Sequence, residues 1–189
     1  KMYMIMVDDG HAGIFTGNSL ISLEDVRKST GRIHEECCDI IMTNPPFGSK
    51  GKVNRKDILE NFDLGYKWTK DKTTGAYKIS EKIEKNLIGG KKKGDGQIPD
   101  VLFIERCYEF LKPGGRMAIV LPDGDLSNVS LSYVRQWISE RMMVVGVISL
   151  PPHTFVPFGA GPKSSILICI KPKRGEEIPK RYPIFFAKL

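Results

Sequence analysis

The stretch "DVLFIERCYEFLKPGGRMAIVLP", Asp100 to Pro122, constrains the fold more than any other. Val101, Ile104, Tyr108 and Leu111 recur at helical spacing, with Phe103, Cys107 and Phe110 beside them. Asp100 is placed to cap this helix and Pro113-Gly114-Gly115 to end it. "RMAIVLP" follows as a short apolar run without alternation, the pattern of a strand buried on both faces. A helix that feeds straight into such a strand is the unit from which parallel sheets are built.

The unit recurs along the chain. "CCDIIMTN" is an earlier strand, with Cys38, Ile40, Ile41 and Met42 apolar on both faces, as a central strand would be. "LSYVRQWISER" is an amphipathic helix through Leu131, Val134, Trp137 and Ile138. "MVVGVISLP" and "SSILICIKP" are two more strands, and the helix-free "PHTFVPFGAGPK" between them predicts an antiparallel pair. Nearer the start, "AGIFTGNSL" reads as a short strand ending near Gly17, and "SLEDVRKSTG" as a helical turn capped by Ser22. The order predicts an α/β fold with a mostly parallel sheet, helices on both faces and an antiparallel strand near one edge. Met2, Ile5 and Met6 have helical spacing up to Gly10, so the chain is expected to open inside a helix, with further sequence before Lys1.

Residues 48–96 break this rhythm with a long basic insert, rich in lysine and glycine, inside what otherwise reads as a single domain over 1–189. Ile58, Leu59, Phe62 and Leu64 suit one helical turn, and "YKWTKDKTTGAYKI" a β-hairpin. Lys50, Lys52, Arg55 and Lys56, and Lys91 to Lys93, are interleaved with Tyr66, Trp68 and Tyr77. That mixture suits a surface that tracks a nucleic-acid backbone and stacks bases, or simply a solvated loop. The net charge of +7 favours a polyanionic partner in the same direction.

Other chemistries find little support. The four cysteines form no C-x-x-C pair and the three histidines are scattered, so neither a metal site nor a disulfide framework is expected. No run approaches the roughly 20 apolar residues of a membrane helix, and the opening residues lack a signal-peptide pattern. A cytoplasmic protein without a membrane partner is expected. "GAGPKSS", Gly159 to Ser165, fails the phosphate-loop spacing because Pro162 intervenes before Lys163. Asp123 and Asp125 in "LPDGDL" suit a capped turn better than a pair of catalytic acids.

The strand "CCDIIMT" runs straight into Asn44-Pro45-Pro46-Phe47. Ligands of open α/β sheets bind beyond such strand ends. The Asn44 amide oxygen and the proline carbonyls are acceptors, the prolines contribute no competing N–H, and their fixed φ holds those acceptors still. Phe47 adds a flat apolar face. Two acceptors beside an aromatic suit a planar ring bearing an NH₂ group. Accepting both amine hydrogens turns the nitrogen lone pair out of the ring plane, ready to attack an activated methyl group by positioning and electrostatics. The alternative is a stiff turn with Phe47 in the core.

"CCDIIMTNPPFGSK", "GDGQIPDVLFIERCYEFLKPGGRMAIVLPDG", "SYVRQWI" and "VVGVISLPPHTFVPFGAGPKSSILICIKP" together resemble the modification subunit of type I restriction-modification systems, which are N6-adenine DNA methyltransferases. The resemblance covers most of the chain outside the insert. It implies a Rossmann-like fold, S-adenosylmethionine as cofactor, methyl transfer to a flipped-out adenine, and DNA, a specificity subunit and a restriction subunit as partners. It makes Asn44, Pro45, Pro46 and Phe47 the catalytic motif, Asn18, Ser19 and Asn44 cofactor-binding, and Lys163 a possible DNA contact beside Lys50, Lys52, Arg55 and Lys56. An acidic residue is common in the family where Asn18 stands. The family's glycine-rich cofactor loop has no counterpart before Asn44, so a domain truncated at its N-terminal side is expected, and activity of this chain alone is in question. The tetrapeptide by itself also occurs in RNA and protein-glutamine methyltransferases, and a non-catalytic assembly module is the remaining alternative.

Overall fold

The computed structural model describes residues 13–47, 51–80, 96–159 and 161–189. After the helix α1 (Leu23–Thr30), the chain forms strand β1 (Cys38–Thr43), then the insert, then helix α3 (Pro99–Phe110) and strand β4 (Leu111–Pro122). A short helix α4 (Asp123–Ser127), the helix α5 (Ser132–Arg141) and strands β5 (Met143–Ser149), β6 (Ser164–Ile170) and β7 (Phe185–Lys188) complete it. The insert contributes α2 (Lys56–Leu59) and the strands β2 (Trp68–Lys70) and β3 (Tyr77–Ile79).

The main sheet has the order β1-β4-β6-β5-β7. β1 and β4 are parallel, as are β5 and β7, while β6 is antiparallel to both β4 and β5. Four strands therefore point one way and β6 alone is reversed. The predicted antiparallel pairing of the last two apolar strands holds, because only a short connection with one 3-10 turn, Val156–Phe158, and no crossover α-helix joins β5 to β6.

Local sequence explains most elements. Ser22 caps α1 by accepting the Asp25 N–H, and Gly31 ends it at φ 68°, where a residue with a side chain would be strained. α3 starts differently from the expectation. Pro99, with its fixed φ, takes the first helical position, and Ile98 stands at the cap. Asp100 lies inside the first turn, almost fully buried, with its carboxylate accepting the Val101 N–H. The helix stops at Phe110, and Pro113-Gly114-Gly115 falls within β4, where Gly114 takes φ 81°.

Alternate residues of β4 and β6 make the core. Met117, Ile119, Leu121, Leu167 and Cys169 pack with Val101 and Ile104 of α3 and with Val134, Trp137 and Ile138 of α5. Both helices thus cover one face. The opposite face carries Ile40 and Met42, which are 64% and 80% exposed. β1 is an edge strand among the described residues rather than the central, doubly covered strand expected from its composition. The expected strand around "AGIFTGNSL" is also absent: residues 13–20 form turns and irregular chain, with the Asn18 side chain accepting the Leu20 N–H. A strand exists only where a partner edge completes its hydrogen bonds. The proposed opening helix through Met2, Ile5 and Met6 lies outside the described residues.

The described part of the insert is built onto the core. The buried Glu105 carboxylate of α3 accepts the N–H groups of Asp63 and Leu64, at 2.8 Å each. Gln136 of α5 both donates to and accepts from the Tyr77 backbone, anchoring the predicted hairpin. The Trp68 ring stacks on Tyr133 at 5.9 Å, and Tyr77 leans on the same ring. These two aromatics fasten the hairpin to the core instead of forming a free stacking surface.

Candidate functional site

β1 ends where its backbone can no longer pair. Thr43 is the last residue in register, opposite Ile119 of β4, and the two prolines that follow have no N–H to continue the ladder. Asn44 and Pro46 are exposed there, Pro45 is buried and Phe47 is half-buried. The tetrapeptide therefore stands at the carboxyl end of a strand with Asn44 open to solvent.

Phe47 does not face this space alone. Its ring meets the edge of Phe155, with centroids 5.7 Å apart and planes at 79°. Phe155 lies in residues 150–163, the connection from β5 to β6. Sequence reading missed it, although a signal existed. β5 runs in the same direction as β1, so a short connection after β5 must start at the rim where β1 ends. An aromatic within that connection is then a candidate partner for Phe47.

The neighbouring strand end is closed by a polar cluster. Asp123, directly after β4, accepts from Lys163 Nζ at 2.7 Å and from Ser165 Oγ at 2.7 Å, one on each carboxylate oxygen. Lys163 Nζ also donates to Ser149 Oγ at 2.6 Å. Burial pushes the Asp123 carboxyl up, but the hydrogen bonds from Lys163 and Ser165 outweigh it and hold the carboxyl below its ordinary value. With both oxygens engaged, Asp123 is a structural anion rather than a proton donor. Asp125 differs: it is buried, its Oδ2 has no hydrogen-bond partner, and burial with the nearby Asp100 charge pushes it up to about 7.

The basic run of the insert is tied to the same rim. Val53 pairs with Gln97, immediately before α3, and α3 begins at the carboxyl end of β1 because β1 and β4 are parallel. Lys52 is half-buried beside Val53. The Arg55 guanidinium holds Asp57, and Lys56 reaches Glu60 at 4.0 Å, both pairs being largely solvent-exposed. Lys50 lies outside the described residues.

Asn18 and Ser19 lie along the flank of α3. They share a recess of about 70 Å³ with Val26, Ile33 and Phe110, while Leu20 belongs to a buried cluster with Leu102 and Phe62. Among the described residues no hydrogen bond joins either of them to Asn44. The Asn18 amide oxygen is engaged by Leu20, which leaves its NH₂ as the group it offers outward. Among the described residues there is no cluster of three or more metal-ligating side chains, and no helix is long and apolar enough to cross a membrane.

The profile of a family described as N-6 DNA Methylase matches residues 1–188. The type I restriction enzyme EcoEI methylase subunit of Escherichia coli is 26% identical over 147 residues, covering 76% of this chain and 23% of that protein. The chain thus spans about a quarter of the curated relative it matches. The EcoKI M protein, a type I restriction enzyme subunit, superposes with a TM-score of 0.52 at 21% identity, over 90% of this chain and 28% of that one. A protein of Listeria monocytogenes assigned to the class I S-adenosylmethionine-dependent methyltransferases gives 0.55 at 21% identity, over 82% and 37%. At such identities the structural likeness establishes the fold alone.

Proposed function

The chain belongs to the N-6 DNA methylase family, and on that premise we propose that it holds the target-amine site of an adenine-N6 DNA methyltransferase of a type I restriction-modification system. The observation that carries this reading is Asn44-Pro45-Pro46-Phe47 at an open strand end, with Phe155 edge-on to Phe47. An adenine turned out of the duplex would lie against Phe47, with Phe155 limiting its slide, and aromatic contact would offset part of the cost of unstacking it. Asn44 Oδ1 and the Pro45 carbonyl would accept the two hydrogens of its N6 amine and direct the lone pair out of the ring plane. The amine becomes more acidic as it forms its new bond, and the same two acceptors then hold the proton it must release.

S-adenosylmethionine, the cofactor in this reading, supplies an electrophilic methyl group. The donor set of the chain suits one end of it: the outward NH₂ of Asn18 matches a purine ring nitrogen, Ser19 adds a hydroxyl, and Asn44 borders the methyl end. Lys50, Lys52, Arg55 and Lys56 are assigned to DNA phosphates near the rim. A specificity subunit would read the DNA sequence and a restriction subunit would complete the assembly, in the cytoplasm.

The test is transfer of labelled methyl groups to adenine-containing duplex DNA, with RNA and protein as competing acceptors, using the gene product read from its natural start. Asn44→Ala should lower the rate by about 100-fold or more, as loss of one aligned transition-state contact does. Equal transfer by the variant, or transfer to RNA or protein instead, sinks the reading.

A further inference from the structure

Residues 150–163 leave the sheet at Ser149 and return at Ser164, and they carry Phe155 to Phe47. The connection holds only short turns of its own, a 3-10 turn over Val156–Phe158 and the Thr154 N–H and hydroxyl donating to the Pro151 carbonyl. Among the described residues its bonds to the strand ends lie at its base. Lys163, its last residue, sends its ammonium to Asp123 on β4's end and to Ser149 on β5's end. Its carbonyl accepts the Asp123 N–H at 2.9 Å, and Ser164 accepts the Leu150 N–H at 3.0 Å. Ser165 takes the other Asp123 oxygen. Three strand ends, β4, β5 and β6, are thus joined through one half-exposed ammonium and one carboxylate. β4 is the strand hydrogen-bonded to β1, from which Asn44 emerges.

Resting on the function proposed above, we propose that Lys163 is a positioning residue: with Asp123 and Ser149 it clamps the β5–β6 connection so that Phe155 is held against Phe47 when the target base arrives. This replaces the expectation that Lys163 contacts DNA directly. Its ammonium already has an acidic and a hydroxyl partner within 2.7 Å, which directs it to the strand ends rather than outward. An ion pair of this exposure contributes little to global stability, so its effect belongs to local geometry.

The two roles separate in a double-mutant cycle. Methylation kinetics on duplex DNA are measured for Lys163→Met, Phe155→Ala and the pair, with Lys163→Arg as the conservative variant. Hydrogen exchange of residues 150–163 is followed in the same proteins, again on the product read from its natural start. A clamp predicts faster exchange across 150–163 in Lys163→Met, unchanged exchange in β1 and β4, and a roughly 10-fold loss in kcat/KM, on the order of 1.4 kcal/mol. Phe155→Ala with Lys163→Met should lose no more than Phe155→Ala alone, and Lys163→Arg should recover most of the activity. Additive losses, with a shallower dependence of DNA binding on salt, would mean that Lys163 touches phosphate, and would overturn the clamp. Unchanged exchange in Lys163→Met overturns it as well, whatever the kinetics. If Asn44→Ala abolishes transfer while Lys163→Met is neutral, the clamp fails and the function stands. If the wild type transfers no methyl group, the function fails and takes with it the purpose given to the clamp.

Discussion

Two residues in the described chain have chemistry that their type alone does not suggest. Phe155 lies edge-on to Phe47, so Phe155→Ala should weaken binding of duplex DNA by about 1–2 kcal/mol, in the range of single base–aromatic contacts. Titration of the variant with a duplex carrying a fluorescent adenine analogue reads this directly. An unchanged affinity would return Phe155 to a purely structural role. Asp125 is the second case. Its folded value of about 7 lies above 3.8, its ordinary one, so the folded chain binds that proton more tightly than the unfolded chain does. Its contribution to stability is therefore complete in acid and is lost as pH rises from about 4 to about 7. Asp125→Asn removes that loss. Its stability relative to wild type should improve across this window by an amount on the order of 2 kcal/mol, discounted for water reaching the site. Urea unfolding at pH 5 and pH 8 checks the sign, and a constant difference would contradict it.

At the scale of elements, the described insert is held by a few specific bonds. Glu105→Ala leaves the Asp63 and Leu64 N–H groups without an acceptor and should cost about 2–3 kcal/mol. Exchange over residues 51–80 should rise more than in the main sheet. Gly65 is tighter still: an added Cβ would meet the Leu59 carbonyl oxygen at 2.0 Å, against main chain that cannot step aside. Gly65→Ala should therefore lower stability by about 2–3 kcal/mol in urea unfolding.

Elements whose evidence is local were legible in the sequence. The two long helices, the apolar strands, the hairpin between Trp68 and Ile79 and the rigid tetrapeptide all declare themselves within a few residues. What escaped reading depends on distant partners. "CCDIIMT" reads as doubly buried, yet burial needs a neighbour, and among the described residues β1 is at an edge. "AGIFTGNSL" has strand composition, and its residues 13–20 have no partner edge among the described residues. The Asp123–Lys163 pair joins residues 40 apart, and the Phe47–Phe155 contact depends on which way β5 points, so neither has a local signature.

For the molecule as a whole, the uneven covering of the sheet matters most. One face is packed under α3 and α5, while Ile40 and Met42 on the other stand in solvent at the edge strand. Exposed apolar residues on an edge strand that has no further partner among the described residues promote association between chains. The isolated chain is expected to self-associate with concentration in sedimentation velocity. Ile40→Lys with Met42→Lys should suppress this without lowering the unfolding midpoint, since neither side chain belongs to the core.

The single reversed strand, β6, has a consequence for how such a protein can change. Because β6 runs backwards, the chain crosses this end of the sheet and returns directly, with a single 3-10 turn and no α-helix to be kept in place. The residues between Leu150 and Lys163 thus form a visor beside Phe47, hinged on strands that stay the same whatever its length or shape. Insertion and deletion there, common edits to a gene, can reshape the rim around Asn44 while the sheet and the tetrapeptide go untouched.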